Sequence, residues 1–282
     1  MHSVFSDGTW TPEELVAEGY RLKLGAMALT DHDTVDGFAP MVRASREQGD
    51  MRILSGLELD SDFSPGAMHF LGYGVDPESD ILMEHLDWLR GGTEARNMDI
   101  MSKLQGLGMK ISWEDVLGSV DISEVRRIHF ASAIKRAGYV KNKHEAFSQY
   151  LSEGRPAYSP KRKLTPLACI DLIIESGGVP VIAHPFTVKL KKKEMPHMVW
   201  ELADYGLGGL EVYYTQSQPG LEHQFLKIIK STGLIATGGS DFHGAVTPDV
   251  VVGKGSGNLK VPNELLDPLL DRIGDNPKSF LK

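Results

Sequence analysis

A single cysteine, Cys169, stands among 282 residues, which excludes an internal disulfide and a zinc site built on several thiolates. Long apolar runs are missing too. No stretch approaches the roughly 18 uninterrupted apolar residues of a membrane helix, and no charged-then-apolar leader follows Met1, so the expectation is a soluble, cytoplasmic chain without a membrane partner. Positive charge is scarce: 30 Lys and Arg against 38 Asp and Glu leave a formal charge of −8, which repels nucleic acid and anionic membranes as a whole. An anionic substrate must therefore be drawn in by local groups. A groove of interleaved basic and aromatic residues, as long single strands require, is not evident. What is present is ordinary globular composition, 41% hydrophobic and 24% charged, which suits a large buried core and excludes a disordered or fibrous chain.

Short apolar runs bounded by glycine or turn residues recur at 26–29, 53–57, 68–73, 179–183, 209–212 and 234–237, and several lead into amphipathic text of helical length. That alternation predicts an α/β fold. Thr11-Pro12-Glu13-Glu14 predicts a helix start with a capping box, and Thr165-Pro166 predicts another. The gap from Leu59 to Met68 is too short for a parallel crossover, so those two strands are expected to form a hairpin. From 79 to 163 the strand signal stops and helical spacing takes over, with Leu82, Leu86 and Leu89 on one face. The expected organisation is a main domain over 1–78 and 164–282, with a helical insert over 79–163.

The chemistry gathers where strands end. Run 26–29 leads into Thr30-Asp31-His32-Asp33, run 53–57 into Glu58, run 179–183 into His184-Pro185, and run 234–237 into Gly238-Gly239-Ser240-Asp241-Phe242-His243. In an α/β barrel the carboxyl ends of the strands share one mouth, so such residues converge. With His69 in its strand and His2 and Asp7 near the start, the set is all imidazole and carboxylate. That donor set suits Zn²⁺, Mn²⁺ or iron, and more than four such residues imply more than one ion.

The segments His2-Ser3-Val4-Phe5-Ser6-Asp7-Gly8, Thr30 to Gly37, Gly56-Leu57-Glu58, Ala183-His184-Pro185 and Gly239 to His243 resemble, in order, the motifs of the PHP family, the polymerase and histidinol phosphatase domain. The resemblance implies a distorted seven-stranded β/α barrel of TIM-like type holding two or three divalent ions. It implies that His2, Glu58 and Asp241 serve one ion, Glu58, His69 and His184 a second, and Asp7, His32 and His243 a third. Asp241, His243 and Glu58 are then the expected catalytic residues. The family opens with His-x-His, whose first histidine would precede Met1, so the first strand is expected to be largely missing here and the natural chain to extend upstream.

In the insert, Arg126 to Phe130 and Gly154 to Tyr158 resemble family segments that close over the barrel mouth, which makes Arg127, His129 and Arg155 the expected substrate contacts. Arginine suits phosphate because its planar fork gives paired charge-assisted hydrogen bonds. The run Lys191-Lys192-Lys193 is a weaker attractor of anions, and Cys169, in helical text, is expected to be a buried structural thiol. The expected activity is hydrolysis of a nucleotide phosphomonoester, such as a nucleoside 3′,5′-bisphosphate, by metal-activated hydroxide. Alternatives are a 5′–3′ exonuclease on short RNA or DNA ends, a histidinol phosphate phosphatase, and a metal-binding module without turnover.

Overall fold

A computed structural model of the chain describes residues 1–49, 51–118, 121–123, 125–191, 193–215, 220–274 and 280–281. Lys192, the middle of the lysine run, lies outside them. The chain divides into two compact units, one of Met1–Glu84 with Lys163–Lys282, the other of His85–Arg162.

The strands are β1 (Ala26–Ala28), β2 (Arg52–Leu54), β3 (Gly56–Asp60), β4 (His69–Tyr73), β5 (Val179–Ala183), β6 (Gly209–Tyr214), β7 (Ile235–Gly239) and β8 (Phe280–Leu281). They form two sheets, β1-β2-β8 and β3-β4-β5-β6-β7. β3 and β4 pair antiparallel, as the short gap requires, with Glu58 opposite Leu71 and Asp60 opposite His69. β5, β6 and β7 run parallel. The protein is thus a mixed α/β fold. One expectation needs correction. The run 53–57 is not one strand: it breaks at Ser55, where the chain passes from one sheet to the other. Ser55 Oγ donates to Val75 O at 2.6 Å and its carbonyl accepts from Gly74 N–H at 2.9 Å, bonds that replace ladder pairing at this position. Among the described residues the strands form no closed ring: β1 pairs only with β2 and β7 only with β6.

Helices cover the sheets. In the first unit, α1 (Pro12–Leu22) begins with the expected capping box of Thr11 and Glu14, and buries Leu15, Val16 and Gly19. It packs with α2 (Phe38–Arg46) over Met27, Leu29 and Ile53, a fully apolar cluster. α7 (Pro166–Glu175), capped by Thr165, carries the buried Cys169. β5, which it precedes, is buried at every residue and reads as a continuous apolar run, as a strand covered on both faces should. α8 (Met195–Tyr205), α9 (Leu221–Thr232) and α10 (Leu266–Ile273) complete this unit.

The second unit is helical: most of α3 (Asp80–Gly106), then α4 (Trp113–Leu117), α5 (Arg127–Arg136) and α6 (Lys143–Ala146). Ile100, Leu104, Phe130, Ile134 and Leu151 form its core. Its buried polar pair, Arg96 and Asn97, is spent on backbone: both side chains donate to Val125 O, at 2.9 and 3.0 Å. Among the described residues no helix is long and apolar enough to cross a membrane.

Candidate metal centre

The N-terminal loop is pinned before any ligand is considered. Asp31, buried three residues after β1, accepts from Ser3 N–H at 2.7 Å, Ser3 Oγ at 2.6 Å and Ser6 Oγ at 2.5 Å. His2 N–H donates to Phe242 O at 2.9 Å, and Met1 O accepts from Thr30 N–H at 3.0 Å. Gly8 lets the loop turn back on itself, since a Cβ there would sit 2.3 Å from His2 O. These bonds bring His2 and Asp7 beside the ends of β1 and β7.

Glu58 is the centre of the cluster. It is 2% exposed, in the middle of β3, and is linked to the segment after β1 by a parallel bridge with His32. Its Oε1 lies 2.7 Å from His69 Nδ1 and 3.1 Å from His184 Nε2, while Oε2 lies 3.1 Å from His2 Nε2. His2 Nε2 also lies 3.1 Å from Asp241 Oδ1. Asp7 faces His243 Nε2 at 3.4 Å and His2 Nδ1 at 3.5 Å. The His2 ring stacks on that of His243 with centroids 4.1 Å apart.

Ligand atoms fall into three groups, each within 4.8 Å: His2 with Asp7, His32 and His243; His32 with Glu58 and His69; and His2 with Glu58 and Asp241. The groups share His2, His32 and Glu58, as a site for adjacent ions would. The second group takes His32 where the resemblance implies His184, although His184 remains within 3.1 Å of Glu58. All eight expected ligands therefore meet in one cluster.

The charges show what the cluster demands. Burial opposes ionisation of Glu58, yet the imidazoles of His32, His184, His2 and His69 outweigh it and hold the carboxyl well below its usual range. Asp7 is likewise held low against burial by His243, His32 and His2, and Asp241 by His2. Burial works against a charge on His2, but Asp241 and Glu58 push its pKa up to about 10; His184 rises in the same way, through Glu58, to about 9. Without a cation, protons on imidazole must balance buried carboxylates. Divalent ions would supply that charge directly, and the nitrogen and oxygen donors present suit them.

Three residues at the cluster were not singled out from sequence. Asp60, two positions after Glu58 on the same face of β3, has Oδ1 3.3 Å from His69 Nε2 and 3.5 Å from His32 Nδ1. Strand periodicity could have found it. Glu211 on β6, its pKa pushed up to about 7 by burial, accepts from His184 N–H, and Tyr214 donates to Asp241 Oδ2. Neither sits in a motif, and both depend on strand order that no local pattern encodes.

The expected substrate contacts all lie in the second unit. Arg127 is half-buried, donates to Leu151 O at 3.3 Å and stands 5.7 Å from the centre of the Tyr158 ring. His129 Nδ1 accepts from Arg126 N–H at the start of α5, a capping bond. Arg155 is exposed.

Comparison with known proteins agrees with this chemistry. A family model described as the PHP domain matches residues 1–205. The chain is 30% identical over 243 residues to the 5′-3′ exoribonuclease Rnm of Salmonella typhimurium, spanning 86% of this chain and 83% of that protein. It is 29% identical over 244 residues to a 3′,5′-nucleoside bisphosphate phosphatase of Chromobacterium violaceum, spanning 86% and 85%. The fold superposes on a candidate metal-dependent phosphoesterase of Bifidobacterium adolescentis with a TM-score of 0.79 and 29% identity, over 96% of this chain and 94% of that one.

Proposed function

From the premise that this chain belongs to the PHP domain family, we propose that it is a metal-dependent phosphoesterase that releases phosphate from a phosphomonoester of a nucleotide, such as a nucleoside 3′,5′-bisphosphate. The observation that carries this reading is the set of three overlapping ligand groups joined through the buried Glu58. Two or three divalent ions, of manganese, zinc or iron, would be held by His2, Asp7, His32, Glu58, His69, His184, Asp241 and His243. Bound there, they would supply Lewis-acid stabilisation of charge on phosphorus oxygens and lower the pKa of a nucleophilic water.

The chain's own residues do the rest. Glu58 turns one oxygen toward His69 and His184 and the other toward His2, so it would hold cations on either side of the cluster. Asp241 and His243, on the segment after β7, fix the side of the cluster nearest Asp7. Asp7, His32, His69, Asp241 and His243 keep part of their surface open, so a phosphate approaches on the side they form. Arg127, His129 and Arg155 are the substrate contacts of this reading, supported by their chemistry. We also read the two sheets as walls of one distorted β/α barrel. The His32–Glu58 bridge links them on one side, and on the other Ala26 and Ala28 of β1 share with Thr237 and Gly239 of β7 the lining of a 520 Å³ cavity.

The second reading is a 5′–3′ exonuclease on short RNA ends, favoured by the likeness to the Salmonella exoribonuclease. The full chain, loaded with Mn²⁺, is offered adenosine 3′,5′-bisphosphate and, separately, a 5′-phosphorylated oligoribonucleotide. Phosphate release from the bisphosphate, with the oligonucleotide intact, is expected. Stepwise shortening of the oligonucleotide at a higher kcat/KM would favour the second reading, and no product from either would overturn both.

A further inference from the structure

β6 brings no member to the three ligand groups, yet two of its side chains reach the cluster. Regular alternation would send Glu211 and Tyr214, three positions apart, to opposite faces of the sheet. A register shift against β7 between Glu211 and Tyr213 breaks that alternation, and a bulge of this kind re-aims the residues after it. Glu211 Oε2 accepts from the backbone N–H of His184 at 2.7 Å. Tyr214 OH donates to Asp241 Oδ2 at 2.7 Å, while Oδ1 of the same carboxylate stays toward His2.

The two residues so held share an unusual backbone. His184, directly after β5, has φ 27°, and Asp241, two residues after β7, has φ 50°. Both lie in the left-handed region that side chains other than glycine avoid, and such conformations persist where the surroundings over-determine them. At each turn the bond from β6 is part of that determination. The Glu211 side-chain oxygen fixes the amide of His184, and the phenol fixes the rotation of the Asp241 carboxylate. The Tyr214 ring also packs against the His184 ring, centroids 5.7 Å apart, and against Phe186 at 5.1 Å.

We propose that Glu211 and Tyr214 are positioning residues of the metal centre, holding His184 and Asp241 in their left-handed turns so that both point into the cluster. This rests on the reading of the cluster as a divalent-ion site. Neither residue belongs to a ligand group; each acts through a residue of the cluster, as groups surrounding metal sites do.

The test is Mn²⁺ affinity of the full chain, read from the electron paramagnetic resonance signal of free Mn²⁺, with thermal unfolding measured alongside. Tyr214→Phe keeps the ring packing and loses only the bond to Asp241; it should weaken binding about 10- to 100-fold, the range for losing a partner of a ligand. Glu211→Ala should do the same, and Glu211→Gln, whose carbonyl oxygen still accepts from His184, should recover most of the loss. Wild-type affinity in Tyr214→Phe and Glu211→Ala overturns the proposal, as does Glu211→Gln binding no better than Glu211→Ala. If Glu211→Ala does not fold, Tyr214→Phe decides alone. A wild-type chain that binds no Mn²⁺ sinks the underlying reading and this proposal with it. Amide exchange at His184 in the metal-free chain separates the cases: faster exchange in Glu211→Ala than in wild type, with Glu211→Gln close to wild type, confirms the hold on the turn, and equal rates in Glu211→Ala and wild type refute it.

Discussion

The two units solve the problem of an interior in opposite ways. The helical unit, His85–Arg162, fills its centre with Phe130, Ile134, Ile100 and Leu151 and satisfies its buried Arg96 and Asn97 with backbone carbonyls. The sheet-bearing unit has apolar clusters of its own, but where its strands end it packs imidazoles and carboxylates against one another. Apolar groups stabilise a fold by leaving water. Buried carboxylates do so only when countercharge is supplied. One interior is complete as it stands; the other is completed by protons or by cations.

The largest effect that separates them is a cavity in the apolar centre. Phe130→Ala should cost about 3–5 kcal/mol of stability, as truncation of a fully buried phenylalanine does, while Mn²⁺ affinity stays as in wild type. Calorimetry with parallel metal titration checks this, and a loss of metal binding would show that the units are not independent. In the other interior, Glu58→Gln removes a charge that two sides of the cluster share. Phosphate release should fall at least about 100-fold, the scale of losing one stabiliser of transition-state charge, with fewer ions bound per chain and the helical unit's unfolding unmoved.

Chelation has the next effect, and pH gives it a sign. The raised pKa values of His2 (about 10) and His184 (about 9) lie above the ordinary imidazole value of 6.5. Their stabilisation of the metal-free protein is therefore fully present below about pH 6.5 and is lost as pH rises through about 9 to 10. The lowered carboxyls Glu58, Asp7 and Asp241 act in the other direction, and their contribution fades as acid protonates them. Unfolding temperature after chelation should thus fall between pH 7 and 10. Mn²⁺ at 100 times its dissociation constant should restore about 2.7 kcal/mol, and its affinity should rise with pH because protons must leave the ligands. Binding heats in buffers of different ionisation enthalpy would reveal the released protons.

The smallest effect expected is that of Arg155→Ala. Losing one charge-assisted hydrogen bond to phosphate should raise KM about tenfold, an effect of about 1.4 kcal/mol, and leave both unfolding and metal content unchanged. Equal KM values would remove Arg155 from substrate recognition.

The candidate metal cluster was legible because most of its residues sit in short motifs near strand ends: a pattern such as Thr30-Asp31-His32-Asp33 after an apolar run says where a side chain will be without knowing its neighbours, whereas Glu58, expected to follow a strand, lies in the middle of β3. The capping boxes and the β3–β4 hairpin were legible for the same local reason. Ser55 was not. Ile53 to Leu57 reads as one apolar stretch, and only the bond from Ser55 to Val75, twenty residues on, shows that the chain changes sheets there. Glu211 and Tyr214 were hidden in the same way, since their value depends on β6 lying between β5 and β7 and on a bulge that the text 209–214 does not announce. Asp60 lay between these cases, given away by its spacing from Glu58 but lacking a motif.

The most direct measurement is a titration of the metal-stripped full chain with Mn²⁺, recording bound ions per chain and phosphate released from adenosine 3′,5′-bisphosphate in the same samples. Activity should be absent in the stripped protein and should appear as binding passes one ion per chain, reaching its plateau at two or three. Phosphate release at full rate without metal, or binding of two ions without any release from this or any other nucleotide phosphomonoester, would contradict the account.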